Sequence, residues 1–258
     1  MFEKLNRTPG LGVRLMQAAL ALIYPARCIA CDQIVDDDLI FCAPCAATLV
    51  PNDSACPRCA LPSPIVLERP PPCVGCLTRP HRFRGALAAY EFGGALAEAI
   101  RRMKWAHMPE LAPQLGLLLD EALAQAPPEY ADVDVIVPVP LHKRRLRLRE
   151  FNQAAELAAA MREAARAREA TIARVPIELR ALRRLRDTPP QTGLDAAARR
   201  RNVFDAFVVR DASRIHGRRV LLVDDVLTTG ATADACASAL ERAGAAEVLV
   251  LTLGRAVT

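Results

Sequence analysis

The sequence predicts an α/β chain in two parts, a mostly parallel sheet with helical crossovers and a small cysteine-rich module ahead of it. Two observations carry this reading. Beyond residue 80, continuous apolar runs rich in Val, Ile and Leu alternate with Ala-rich stretches of helical composition, the pattern of strands buried on both faces and joined by right-handed crossovers. Before residue 80, eight of the nine cysteines fall in four successive C-x-x-C pairs. The expected organisation is an N-terminal helix over 1–27, the cysteine module over 28–80 and the α/β domain over 81–258.

At the N-terminus, Lys4, Arg7 and Arg14 precede an apolar run from Leu15 to Ala26, about the length of a secretory h-region. Gln17 interrupts the run, and it ends in Tyr24, Pro25, Ala26 and Arg27 without a small-residue cleavage site. Leu11, Leu15, Ala18, Ala19, Leu22 and Ile23 recur at helical spacing. An amphipathic helix docking on the next module is therefore expected. No run of 18 apolar residues occurs, so no membrane span is expected.

The four pairs are Cys28/Cys31, Cys42/Cys45, Cys56/Cys59 and Cys73/Cys76. A C-x-x-C turn aims two sulfurs at one point, and two such turns make the tetrahedral S₄ shell that Zn²⁺ takes in zinc ribbons. Two structural zinc ions are expected. Sequential pairing puts Cys28, Cys31, Cys42 and Cys45 on one ion and Cys56, Cys59, Cys73 and Cys76 on the other, and it is the grouping adopted here; interleaved pairing meets the same spacing. A disulfide framework or redox pairs are the competing readings, but a redox motif occurs once beside a βαβ unit, not four times in a proline-rich segment. Zinc in turn implies a reducing, cytoplasmic compartment. Pro44, Pro51, Pro57, Pro62, Pro64, Pro70, Pro71 and Pro72 leave the module little apolar core, so the metal supplies its folding energy. Closed four-thiolate sites have no open position for catalysis, and Cys236 reads as a small core residue in an Ala-rich helix.

In the α/β domain, Val133–Val139, Val175–Leu179, Arg218–Asp225 and Glu247–Leu253 read as strands, and Phe151–Ala170 and Ala231–Ala243 as helices. Ligands of such sheets bind at the carboxyl ends of the strands. One such end carries the string VLLVDDVLTTGAT, Val220 to Thr232. Thr228, Thr229, Gly230, Ala231 and Thr232 form a tight turn whose N–H groups and hydroxyls suit a phosphate at a helix N-terminus, and Gly230 permits close approach. Asp224 and Asp225, a few residues earlier, suit the two hydroxyls of a ribose whose 5′-phosphate sits in the turn. No G-x-x-x-x-G-K-[ST] is present, so a P-loop is a poor competitor.

This string resembles the phosphoribosyl pyrophosphate (PRPP) motif of type I phosphoribosyltransferases. The resemblance implies that Asp224 and Asp225 hold the ribose hydroxyls, that Thr228 to Thr232 hold the 5′-phosphate, and that Mg²⁺ accompanies the ligand, bound largely by ligand oxygens and water. A second segment, VPVPLHKRRLRLREFNQA, follows the first strand of the four directly. It offers Lys143, Arg144, Arg145, Arg147 and Arg149 within seven residues, and Lys143, Arg144 and Arg145 are the candidates for neutralising pyrophosphate; a solvated basic face or a nucleic-acid patch is the alternative. A third, Arg186–Asn202, is polar and rich in turn formers, and resembles the loop that closes over reactants in the same enzymes, with Gln191, Thr192, Leu194 and Arg199 as closing contacts.

The cysteine pairs, YEFGGALAEAIRRMKW, VPVPLH…FNQA, TPPQTGL…NVFDAF and the PRPP string follow one another as in the competence protein F family. That family pairs a double zinc ribbon with a phosphoribosyltransferase domain, and the resemblance covers nearly the whole chain beyond the first two dozen residues. One departure is Glu150, where the family usually has Gly before Phe-Asn-Gln. The resemblance implies DNA uptake in natural transformation, in cytoplasmic handling of incoming single strands beside a helicase-like partner.

Two readings follow. In one, Mg-PRPP is held without turnover, or the phosphates of single-stranded DNA occupy the same positive cleft. In the other, the chain is an active phosphoribosyltransferase of nucleotide salvage or synthesis, in which charge on the oxocarbenium and the leaving pyrophosphate is stabilised while a nitrogen base attacks the anomeric carbon. Composition does not separate them. The 258 residues carry 52% hydrophobic and 24% charged residues, 31 Arg and 3 Lys within 34 basic residues, and a net charge of +5. Aromatics make up only 4%, so any DNA affinity is expected to be electrostatic and salt-sensitive. His81, His107, His142 and His216 lack a Ser or Cys partner at catalytic spacing, and only His142 lies beside the candidate pyrophosphate segment. Lys104 and Trp105 end an expected helix, where a Lys is commonly a dipole partner, and both fall outside the expected site.

Overall fold

The computed structural model describes residues 25–65, 67, 70–186 and 206–257. The expected helix over the first two dozen residues and the loop candidates Gln191, Thr192, Leu194 and Arg199 lie outside them.

The cysteine module holds two short helices, α1 (Ala43–Ala46) and α2 (Val74–Thr78), N-capped by Cys42 and Cys73. Each carries the second cysteine of its pair in the first turn or two, and Pro44 opens α1 where its missing N–H is not needed. The α/β domain follows as β1 (Gly85–Glu91), α3 (Gly94–Trp105), α4 (Ala112–Gln125), β2 (Val135–Pro138), α5 (Lys143–Arg149), α6 (Gln153–Ala167), β3 (Leu182–Arg184), β4 (Phe207–Val209), β5 (Arg219–Leu227), α7 (Ala231–Arg242) and β6 (Glu247–Arg255).

Four strands form one sheet in the order β1-β6-β5-β2, parallel throughout. The central strands are apolar on both faces, as a doubly covered parallel sheet requires. Leu221, Val223, Leu249, Leu251 and Leu253 face α3, α4 and α6. Val220, Leu222, Val248 and Val250 face α7 and the antiparallel β3–β4 pair. The helices on the first face pack closely, since a Cβ on Gly116 of α4 would stand 2.4 Å from that of Ala160 in α6. Buried Asp120 of α4 receives two 2.7 Å hydrogen bonds from Arg168, just past the end of α6.

One expectation changes. Val175–Leu179 contributes a single parallel bridge, Ile177 to Ile136, because Pro176 has no N–H to continue a ladder. The basic run after β2 is a helix, α5, with His142 as its N-cap.

The cysteine module is joined to the domain rather than tethered beside it. Cys28, Ile29, Ala30, Phe41 and Cys42 belong to the core cluster containing α3 and α4. The second set of thiols forms a small buried cluster of its own, with Leu61 packed against it. Such a cluster has too few methylenes to fold unaided.

Candidate functional site

The eight thiols converge in two groups, Cys28, Cys31, Cys42 and Cys45, and Cys56, Cys59, Cys73 and Cys76, each with its sulfurs within 4.8 Å of one another. Tetrahedral Zn–S bonds of about 2.3 Å place sulfurs about 3.8 Å apart. The observed pairs Cys31–Cys42 at 3.6 Å, Cys59–Cys73 at 3.6 Å and Cys56–Cys76 at 3.8 Å match that spacing, and a disulfide would need about 2 Å. The Cys56 thiol is drawn down to about 4 by hydrogen bonding from Cys59, with the Cys73 N–H donating to its sulfur at 3.2 Å. Four sulfurs at that mutual spacing are the shell that Zn²⁺ takes, so both sets fit the ion.

Both thiol sets are bonded into the α/β domain. Around the first, Thr48 Oγ1 donates to the Cys45 carbonyl at 2.8 Å and accepts the Ala95 N–H, in the first turn of α3, at 2.9 Å. Arg102, near the other end of that helix, donates to the carbonyls of Cys28 and Ile29 at 3.3 and 3.1 Å and to Asp32 at 2.9 Å. From the second set, the Cys59 carbonyl accepts Arg255 Nε at 2.9 Å, and the same guanidinium donates to the carbonyls of Leu227 and Thr228.

The carboxyl end of β5 carries Asp224 and Asp225 and runs through Leu227 into the turn before α7. Gly230 caps that helix at φ +77, a left-handed conformation that favours glycine. It also meets the His81 ring, whose Cε1 would stand 2.9 Å from an added Cβ. His81 stacks on Phe83 at 4.5 Å and pairs with Asp234 of α7 at 2.8 Å, and the Arg82 N–H donates to the same carboxylate. The turn is thus clamped from the segment that leaves the cysteine module. The Ala231 N–H donates to Thr229 Oγ1 at 3.4 Å, and the positive end of the α7 dipole faces this turn, where it favours an anion.

Asp224 is pushed up to about 7, first by burial and then by the charge of Asp225, against Lys104 and Arg184. Lys104 Nζ lies 2.7 Å from Asp225 Oδ2, both side chains being largely buried. The cation expected to serve only the α3 dipole is therefore part of the site. Arg149 is the second addition. The charges of Asp225 and Asp224 bear on it, and its guanidinium lies 4.6 Å from the Trp105 ring centroid.

Of the three basic candidates, Lys143 lines a cavity of about 220 Å³ with Arg180, Arg183, Arg184 and Arg210. Arg144 and Arg145 do not line it. Arg184 is buried, stacks over Phe207, and its charge acts on Asp224, so this cationic hollow adjoins the acid pair. It lies against β3 and the residue that follows β4. The sequence signal was the RALRRLR run at 180–186, immediately before the polar loop segment. A groove of about 1160 Å³ lies instead along β1 between Asn52, Arg84, Glu121 and Tyr130 and includes none of the turn residues.

Comparison with known proteins accounts for both parts. Residues 19–77 match the double zinc ribbon domain and residues 158–255 the phosphoribosyl transferase domain. The DNA utilization protein YhgH of Escherichia coli O6:H1 is 32% identical over 216 residues, covering 83% of this chain and 89% of its own. The YhgH of Salmonella typhi is 33% identical over 218 residues with the same coverage. Competence protein F of Haemophilus influenzae is 34% identical over 124 residues, 48% of this chain and 51% of its own. Among solved structures, the glutamine PRPP amidotransferase from B. subtilis complexed with ADP and GMP aligns at a TM-score of 0.34 and 23% identity, over 54% of this chain and 26% of that one. With a ribbon of eight cysteines ahead of a parallel-sheet phosphoribosyltransferase domain, the chain belongs to the family of YhgH and competence protein F.

Proposed function

We propose that the α/β domain binds Mg-PRPP, and that the protein serves the cytoplasmic handling of single-stranded DNA in natural transformation. The observation that carries the ligand is the juxtaposition of Asp224 and Asp225 with the Gly230 turn at the start of α7. On this reading the acid pair accepts the ribose 2′- and 3′-hydroxyls, and Thr228, Thr229, Gly230, Ala231 and Thr232 surround the 5′-phosphate. The hollow formed by Lys143, Arg180, Arg183, Arg184 and Arg210 receives the pyrophosphate. Mg²⁺ would enter with the ligand and neutralise part of its charge, held by ligand oxygens and water. Arg144 and Arg145 then belong to the outer basic face, which suits the DNA backbone and a helicase-like partner's strand. The family's names, DNA utilization and competence, support the DNA side of the proposal.

Calorimetric titration with PRPP and Mg²⁺ tests the site. Saturable binding that disappears in the Asp224→Asn, Asp225→Asn double variant is expected. No heat from the zinc-loaded wild-type protein would remove PRPP from the proposal. On the DNA side, log affinity for a single strand should fall steeply with log salt, and a flat plot would count against it.

A second reading, turnover as a phosphoribosyltransferase of nucleotide salvage or synthesis, is favoured by one observation. A cationic hollow lined by Lys143, Arg180, Arg183, Arg184 and Arg210 beside the acid pair would stabilise the charge that builds on a leaving pyrophosphate. Release of pyrophosphate with a panel of bases is the measurement that separates it from binding alone.

A further inference from the structure

Trp105 is the chain's one tryptophan, and it stands 67% exposed at the end of α3. Three neighbours give that exposure a context. Lys104, the preceding residue, is bonded to Asp225. Arg149 stacks over the indole and is itself held by Gln153 Oε1 at 3.1 Å. The charges of Asp225 and Asp224 both act on Arg149. The indole therefore stands at the rim of the acid pair. Along α5, which carries Arg149, Lys143, Arg144 and Arg147 occupy exposed positions.

We propose that Trp105, backed by Arg149, is a stacking platform for a nucleobase at the mouth of the acid-pair cleft. The proposal rests on the sugar-phosphate reading only for its location. An exposed indole with a cation against it offers a flat π-face that accepts any heteroaromatic ring without reading its edge. Cations along the neighbouring helix suit the phosphates on either side of a stacked base. A free base and one base of a single strand present the same face, and the cations favour the strand. The platform also places that base beside the proposed ribose site.

Because Trp105 is alone, its fluorescence reports the contact directly. The zinc-loaded protein is titrated with oligothymidylate, with an abasic strand of equal length, and with free adenine and cytosine in the presence of Mg-PRPP. Saturable quenching by the base-bearing strand and markedly less by the abasic strand is expected; quenching by a free base alone would assign the platform to a small acceptor. Trp105→Ala, checked for unchanged zinc content and circular dichroism, should bind a fluorescein-labelled strand about tenfold or more weakly, with Trp105→Phe retaining most of the affinity. Unchanged emission with every probe, or equal strand affinity in all three proteins, overturns the proposal. Quenching by the strand in a protein that gives no calorimetric signal with PRPP keeps the platform and removes the sugar-phosphate reading.

Discussion

Arg255 of β6 donates through Nε to the carbonyl of Cys59 at 2.9 Å, and thereby bonds the second cysteine set to the turn before α7. The guanidinium is buried, and its Nη1 reaches the carbonyls of Leu227, Thr228 and Ala256. One planar group thus fixes backbone from three separate segments, a task for which the flexible ammonium of lysine is poorly shaped. Arg255→Met leaves these carbonyls buried without a donor, and a loss of about 3 kcal/mol in unfolding free energy is expected. If the turn is a phosphate site, the same variant binds Mg-PRPP more weakly, and Arg255→Lys recovers little of either. Urea denaturation and calorimetry measure the two effects separately.

Removing the metal should be felt well beyond the cysteines. In the first set, Thr48 and Arg102 hold both ends of α3, whose last turn places Lys104 against Asp225. Without the ion, the thiolates repel one another and the short helices α1 and α2 have little apolar core of their own to keep them folded. A strong chelator is expected to release two zinc ions per chain and expose eight reactive thiols. The thermal midpoint should fall by about 6–12 °C on the basis of about 3 kcal/mol lost, and strand binding should weaken with it. Retention of the midpoint after complete zinc loss would show that the domain does not depend on the ribbon.

Asp224 gives the stability of the domain a definite pH dependence. Its folded value of about 7 lies above the ordinary carboxyl value of 3.8, through burial and then the charge of Asp225. Between those values the folded state keeps a proton that the unfolded state has lost, so stability falls as the pH rises from about 4 to 7 and stays low above it. Three units correspond to about 4 kcal/mol. Asp224→Asn should therefore stabilise the free protein at pH 8, with the gain shrinking towards pH 4. Ligand binding should run the other way: hydroxyl donors need the ionised acid, so affinity for Mg-PRPP should rise between pH 6 and 8. Denaturation at four pH values and calorimetry at two decide both signs.

How much of this was legible beforehand depended on whether the signal was local. The strands β2, β5 and β6 are continuous apolar runs, and the turn from Asp224 to Thr232 is one uninterrupted string, so both were read from neighbouring residues. The strand β1 was not, because GALAAYE is too rich in alanine to read as a strand and becomes one by pairing with β6. Lys104 meets Asp225 across 121 positions of sequence, and Arg184 and Arg210 join Lys143 through the β3–β4 pairing. No spacing rule relates such residues. The basic run after β2 was legible as a cluster, but not as a helix that turns only Lys143 into the cationic hollow.

Glu150 is the sharpest case in which a family expectation and local geometry explain each other. It ends α5 at φ +69, in the left-handed region, where a side chain on Cβ crowds the backbone and costs about 1 kcal/mol. The family's usual glycine at this place fits that backbone without strain. Its N–H still closes the helix by donating to the Leu146 carbonyl at 2.7 Å, so the position must stay left-handed whatever residue occupies it. Glu150→Gly is accordingly expected to raise unfolding free energy by about 0.5–1 kcal/mol, relief of strain outweighing the extra freedom of glycine in the unfolded chain. It also removes a negative charge next to Arg149, at the C-terminal end of a helix whose dipole already disfavours anions. Strand affinity should therefore increase modestly, and more at low salt than at high. Glu150→Gln separates the two effects, since it removes the charge and keeps the strained backbone. If Gln matches Gly in urea denaturation, strain is not the cost at this position; if Gln matches Gly only in strand binding, charge and conformation act independently there.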